Sequence, residues 1–331
     1  MIYFVLDNKN DIEKLSFLND NSSFHVQFLL PKKHINTLKE LISYSNEIIK
    51  LTSKNDVIIF WYDFIGIMST IISFIKGKKR KILILNILLK NKKNIKNKIC
   101  RILYRFALNK KNVIATTTSK KYGYEITKLI GYKKEFFLLR DVFNVKLPNN
   151  INIDCSSKKY IFSGGRNGRN WNLLINIANF IPNIEFHFVM SKEEYNKIKK
   201  IPKNIKIMVD IDYDKFIYEL ANSAFVVMPL NTNAPAGLLM FFQAARLKKL
   251  IITTKNNVTE EYFSDNRGVL CGNSEKEWVD IIKYYYNNEQ ESKIMSKNFL
   301  EFLENECSTI NYKNVLINIV LKGEQIWQEK N

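Results

Sequence analysis

Short apolar runs alternate with longer stretches of helical period along nearly the whole chain. In the first half, runs at 2–6, 25–30, 57–61, 82–86, 113–117 and 135–139 predict strands, and helical patterns at 34–45, 63–76, 92–109 and 118–130 separate most of them. A second series begins after Leu147-Pro148-Asn149-Asn150, the one plausible linker. Its strands are predicted at 160–163, 184–190, 205–209, 224–230, 250–254 and 268–271, with helices near 171–180, 192–200, 213–222, 237–248 and 275–289. Continuous β-branched strands divided by helices predict a parallel sheet covered on both faces. The expected fold class is α/β, with two doubly wound, Rossmann-like domains facing a central cleft. Ligands of such folds bind outside the carboxyl ends of the strands, so the loops there hold the candidate chemistry.

Two loops in the second series stand out. The strand at 160–163 runs into Ser163-Gly164-Gly165-Arg166-Asn167-Gly168-Arg169-Asn170-Trp171 and then a helix. Glycines let the backbone approach a ligand, a helix start offers free N–H groups, and arginines add planar donors. This suits a diphosphate; the plainer alternative is a glycine-rich turn with solvated arginines. A dinucleotide site fits poorly, because the spacing is G-G-x-x-G and no acid closes the following strand. The second loop, Asn231-Thr232-Asn233-Ala234-Pro235-Ala236-Gly237, opens a helix whose one uncharged polar residue is Gln243. Its first N–H groups would point out of the strand ends.

Together with the Thr259-Glu260-Glu261-Tyr262 segment and the later Gly268-Val269-Leu270, this arrangement resembles the donor-binding half of glycosyltransferase family 4. That family has the GT-B fold and includes bacterial enzymes of capsular and other surface polysaccharides. The motifs cover roughly 158–290; over 1–150 the likeness is one of layout. The resemblance implies an acceptor-side domain at 1–148, a nucleotide-sugar-binding domain at 149–308, and a helix at 309–331 returning to the first domain. It implies a retaining, metal-independent hexosyltransferase that uses a nucleotide-sugar, UDP-sugar favoured, and a saccharide acceptor carried on a lipid. Gly164, Gly165, Arg166, Arg169, Ala236, Gly237 and Leu238 would hold the donor diphosphate and sugar. Gln243 would hold the ribose, and Tyr213 the base. The sequence departs from the family's E-x7-E motif. Gln243 stands at its second glutamate, its first falls near Pro235, and the one acid between Asp214 and Glu260 is Glu219. An inactive scaffold is therefore the alternative.

In the first half, Asp63 follows a predicted strand and is the candidate catalytic or acceptor-orienting acid; capping the helix after it is the other reading. Trp61 and Asn86, at strand ends, are candidate acceptor contacts. The D-x-D at Asp210-Ile211-Asp212 reads more simply as a helix cap before Lys215. The cysteines, Cys100, Cys155, Cys271 and Cys307, lie far apart and give no zinc spacing or disulfide framework. No metal and no cofactor are expected.

The formal net charge of +19 points to an anionic partner, unless a Lys- and Asn-rich composition has raised it. Between Lys76 and Lys111 there are fourteen Lys or Arg and no Asp or Glu. Within that stretch Ile95, Ile99, Ile102, Leu103 and Phe106 recur at helical spacing, with Lys92, Lys96, Arg101 and Arg105 elsewhere around the helix. An apolar stripe packed inward, with a basic face meeting either solvent or an anionic membrane, is the expected arrangement. A basic nucleic-acid-binding protein is the remaining alternative, but no recognition motif supports it. The chain shows neither a signal peptide nor a membrane span, so the expected location is cytoplasmic, peripheral on the inner face of the plasma membrane.

Overall fold

The computed structural model describes residues 1–20, 24–89, 94–149, 151, 160–166 and 168–328. Asn167, Lys92 and Cys155 lie outside these. The chain divides into two compact units, Met1–Val142 with Thr309–Asn331, and Phe143–Ser308.

The first unit contains β1 (Ile2–Val5), α1 (Asn10–Leu15), β2 (Gln27–Leu29), α2 (Leu38–Leu51), β3 (Val57–Phe60), α3 (Asp63–Ile75), β4 (Lys81–Ile84), α4 (Ile95–Leu108), β5 (Val113–Thr117), α5 (Lys120–Ile130) and β6 (Phe137–Leu138). Its sheet has the order β2-β1-β3-β4-β5-β6, with every pair parallel. β1 is followed by β2 on one side and by β3 on the other, so the sheet's switch point lies between β1 and β3.

The second unit contains β7 (Ile161–Gly164), α6 (Trp171–Phe180), β8 (Phe186–Met190), α7 (Lys192–Tyr195), β9 (Ile205–Val209), α8 (Tyr213–Ala221), β10 (Phe225–Met228), α9 (Leu238–Arg246), β11 (Ile251–Thr254), α10 (Asn257–Phe263), β12 (Val269–Cys271), α11 (Glu275–Asn287) and α12 (Glu289–Glu306). Its parallel sheet runs β12-β11-β10-β7-β8-β9, with the switch point between β7 and β10. Phe186, Phe188, Val227, Ile252 and Trp278 centre its core, where the Trp278 indole donates to the Gly272 carbonyl at 2.9 Å.

The last helix, α13 (Thr309–Gln328), belongs to the first unit. Its Tyr312, Leu316, Ile319, Val320 and Trp327 are buried in one cluster with Phe4, Leu6, Ile59, Leu83 and Ile114. Gly323 permits the close approach: a Cβ there would stand 2.7 Å from Ile114 Cδ1.

The expected strand at 224–230 ends at Met228, since Pro229 has no N–H to donate and Leu230 pairs with Arg169 instead. The expected helix at 192–200 stops at Tyr195, before Ile201-Pro202, where the residue preceding proline disfavours helix. α4 reverses its expected orientation. Its buried residues are Tyr104, Ala107 and Leu108, while Ile95, Ile99, Ile102 and Phe106 are exposed. Among the described residues no helix is long and apolar enough to cross a membrane.

Candidate functional site

At the end of β7 the chain makes two left-handed steps, Gly165 at φ +122° and Gly168 at φ +73°. These turn the loop back so that Arg169 folds beneath it. The Arg169 Nε donates to the Gly164 carbonyl at 2.9 Å. Its guanidinium fills the space where a Cβ of Gly165 would sit, and a Cβ on Gly237 would come within 3.1 Å of its Nη1 and 2.5 Å of Met228 Cε. The cation thus lies against two glycine backbones, one from each loop. Gly237, at φ +83°, is also the N-cap of α9 and, being glycine, brings no side chain to that helix's first N–H groups.

Backbone bonds stitch the loops together. Asn170 N donates to Pro229 O at 2.9 Å, and Asn231 N to Gly168 O at 3.0 Å. The Asn231 side chain adds a bond to Arg169 O at 3.2 Å. A third strand end joins in: Thr254 Oγ1 accepts from Leu230 N at 2.8 Å, and Asn256 Nδ2 donates to Thr232 O at 3.3 Å. The loops after β7, β10 and β11 therefore form one framework at the switch point. Thr254 and Asn256 carried no motif; their place at and just after the end of a predicted strand was the signal available.

Burial separates the two arginines. Arg169 is 7% exposed, and loss of water pushes its pKa down to about 10. Arg166 is exposed on the same loop. An anion entering the glycine loop meets at Arg169 a charge that little water screens.

Leu238 and Gln243 lie in the buried part of α9, and Ala236 is half-buried just before it. Tyr213 is set apart, since it opens α8 after the edge strand β9, and its hydroxyl donates to Lys146 O at 2.8 Å. Asp212 caps α8 through Lys215 N at 2.8 Å. Glu219 is engaged inside the unit: it meets His187 Nδ1 at 2.6 Å and Lys206 at 3.5 Å, while His187 Nε2 reaches Glu185 at 2.8 Å.

In the first unit Asp63 is the first residue of α3, with Tyr62 at the cap position. Its Oδ2 accepts from Leu88 N and from the Tyr104 hydroxyl, both at 2.8 Å, tying the loop after β4 and the helix α4 to α3. Asn86, at φ +42°, donates to Asp141 Oδ1 at 2.7 Å and accepts from Thr116 Oγ1 at 3.0 Å. Trp61 packs on Phe4, with ring centroids 6.2 Å apart. All three sequence candidates are thus engaged in local structure. Asp7, absent from the sequence candidates, follows β1 at the switch point, and its Oδ1 is buried with no hydrogen-bond partner among the described residues. Burial, then the charge of Asp11, raises its pKa. Its position directly after the first strand was the signal available.

Burial pushes both Asp63 and Asp141 up to about 6, from an ordinary 3.8. The folded state therefore binds these protons more tightly than the unfolded chain does. The stability that each proton contributes is complete below pH 3.8 and is lost as pH rises through about 6, by ~3 kcal/mol at most per group. In Asp141→Asn the amide oxygen still accepts from Asn86. Urea unfolding of this variant at pH 4.5 and at 6.5 should show a smaller loss of stability than the parent does; an equal loss would exclude Asp141 as its source.

No protein-family model and no curated protein matches the sequence. Among solved structures the chain is similar to HepE of Anabaena in complex with UDP and glucose, at 12% identity over 97% of this chain and 99% of that one, with a TM-score of 0.70. It is similar to a sucrose-phosphate synthase from Thermosynechococcus elongatus, at 11% identity over 99% of each chain and a TM-score of 0.71. A glycosyltransferase from Rickettsia africae aligns at 14% identity over 100% and 98%, with a TM-score of 0.67. At such identities the shared property is the fold. Two six-stranded parallel sheets interleaved with helices form the two-domain α/β fold of GT-B glycosyltransferases.

Proposed function

We propose that the protein transfers a sugar from a nucleoside-diphosphate sugar, with UDP-sugars favoured, to a saccharide acceptor. The observation that carries this reading is the Arg169 guanidinium, desolvated between the Gly165 loop and the Gly237 start of α9 at the switch point of the second sheet. The choice of uridine draws on the similar fold of HepE, crystallised with UDP-glucose.

In this reading Gly164 and Gly165 let the diphosphate reach the backbone, and Arg169 stabilises the charge that develops as the sugar's C1–O bond to the diphosphate breaks. Arg166 adds a second cation from the solvent side. The N–H groups of Gly237 and Leu238, next to Ala236, support the β-phosphate and the sugar, and Gln243 meets the ribose. Tyr213, the candidate for the base, opens α8 after the edge strand β9. The acceptor hydroxyl forms the new bond to C1 and gives up its proton to a general base, for which the carboxylates of Asp63 and Asp7 are the candidates. Assignment to family 4, a retaining course without metal, a lipid-linked acceptor and a role in surface polysaccharide at the inner membrane face extend the same proposal.

Thermal unfolding with UDP, GDP and CMP tests it. A shift of several degrees with millimolar UDP, larger than with the other two, is expected, and no shift with any nucleotide would sink the reading. A second reading, donor binding without turnover, is favoured by Glu219, the lone acid of the region, being engaged with His187 and Lys206. UDP release from UDP-glucose in the presence of acceptor saccharides separates the two.

A further inference from the structure

α4 is apolar on two opposite sides. One side carries the buried Tyr104, Ala107 and Leu108 against the rest of the first unit. The other carries Ile95, Ile99, Ile102 and Phe106, which are 79%, 53%, 59% and 39% exposed. Spacings of four, three and four residues place these on one line, roughly 16 Å long at the rise of an α-helix. The end of α3 widens the stripe: Phe74 is 57% exposed and packs edge-on against Phe106, with ring centroids 5.2 Å apart, and Ile75 beside it is 75% exposed. A surface protein seldom leaves so many large apolar side chains contiguous in water unless something covers them.

The flanks say what does. Lys98 and Arg105 border the stripe on one side of the helix and Lys96 on the other, all exposed. Lys76, Lys78 and Lys79 extend the positive border beyond α3. The Lys110 ammonium sits over the rings of Phe74 and Phe106, at 3.5 and 3.8 Å from their centroids. No carboxylate occurs in the sequence from 76 to 111. An apolar centre flanked by a segment whose only charged residues are cations matches the cross-section of an anionic bilayer, acyl chains at the middle and phosphates at the edge. A second copy of the chain would set these cations against one another.

We infer that α4 and the end of α3 form a membrane-docking face that inserts Ile95, Ile99, Ile102, Phe106 and Phe74 into an anionic leaflet, with the flanking lysines and arginines on the lipid phosphates. This reverses the orientation expected from the sequence, in which the isoleucines packed inward and cations alone met the lipid. The difference is measurable, because insertion requires the isoleucines as well as the charge.

The test is co-sedimentation of the full chain with vesicles of phosphatidylcholine, alone or with about a third phosphatidylglycerol. Binding to the anionic vesicles and little to the neutral ones is expected. The double variant Ile99→Asp/Ile102→Asp should lose tenfold or more in partitioning, and Lys96→Glu/Lys98→Glu a similar factor at low salt, at about fivefold to tenfold per cation reversed. Both pairs are exposed, so circular dichroism and the UDP-induced thermal shift should match the parent. Those readouts separate failure of this face from failure of the nucleotide site. Parent protein that ignores anionic vesicles, or an isoleucine variant that binds as the parent does, overturns the inference. So does a dimer that only the isoleucine variant abolishes.

Discussion

Replacing Arg169 by alanine is expected to weaken UDP binding a hundredfold or more, measured by titration calorimetry. The magnitude follows from burial. A charge-assisted bond to phosphate made by an exposed cation competes with water and salt; one made by a desolvated, pre-positioned guanidinium does not. Truncating one partner of a buried, hydrogen-bonded charge pair costs about 2 to 5 kcal/mol, or roughly thirtyfold to several thousandfold. Arg169 meets both conditions, being 7% exposed and fixed by its bond to the Gly164 carbonyl. Arg169→Lys keeps the charge but loses the planar fork that lies against Gly165 and Gly237, so an intermediate loss is expected. Arg166→Ala, on the exposed part of the loop, should cost about tenfold or less. The order Arg169→Ala, Arg169→Lys, Arg166→Ala is the diagnostic result. UDP affinity in Arg169→Ala within threefold of the parent, with unit two still folded by Trp fluorescence, would remove the diphosphate from this loop.

That ranking could not be read from the sequence. Arg166 and Arg169 are the same residue type three apart in one glycine-rich loop, and which one turns inward depends on the left-handed steps at Gly165 and Gly168. The loop itself was legible as a turn, because glycines between a strand and a helix mark one. So were the strands: buried on both faces, they read as continuous apolar runs whatever their neighbours. Helices were legible only where their buried side was also their most regular apolar one. α12 was missed because its buried stripe is Ser292, Ser296, Phe299 and Leu303, half of it hydroxyl. α4 was found but turned around, because Ile95, Ile99, Ile102 and Phe106 give a stronger periodic signal than Tyr104, Ala107 and Leu108. Periodicity reports that a face is apolar, and does not report what it is apolar toward. The bonds from Thr254 and Asn256 that join three loops depend on strand order, which no local pattern contains.

Ending the chain before Thr309 is expected to leave the first unit unfolded. α13 contributes Tyr312, Leu316, Ile319, Val320 and Trp327 to a cluster whose other members, among them Phe4, Leu6, Ile59, Leu83 and Ile114, line the sheet. Burying each such side chain contributes about 1.5 to 3 kcal/mol, so the five together supply on the order of 10 kcal/mol. The whole stability of an ordinary domain is about 5 to 15 kcal/mol, so the loss is of the same size as what there is to lose. Hydrogen bonds and ion pairs do not alter this comparison. The pair between Lys81 and Glu324, at 2.5 Å, is partly exposed and contributes about 1 kcal/mol or less. A point variant makes the same argument measurable without abolishing folding. Leu316 is fully buried, and Leu316→Ala should cost about 2 to 5 kcal/mol, as truncations of core leucines do. With a urea m-value of about 2 kcal/mol/M, the midpoint of the first unit should fall by about 1 to 2.5 M. Trp61 and Trp327 report on that unit and Trp171 and Trp278 on the other, so single-tryptophan versions resolve which transition moves. A shift confined to the Trp171 and Trp278 signals, or a midpoint for Trp61 within 0.3 M of the parent, approximately the error of such a measurement, would mean that the sheet of the first unit stands without α13.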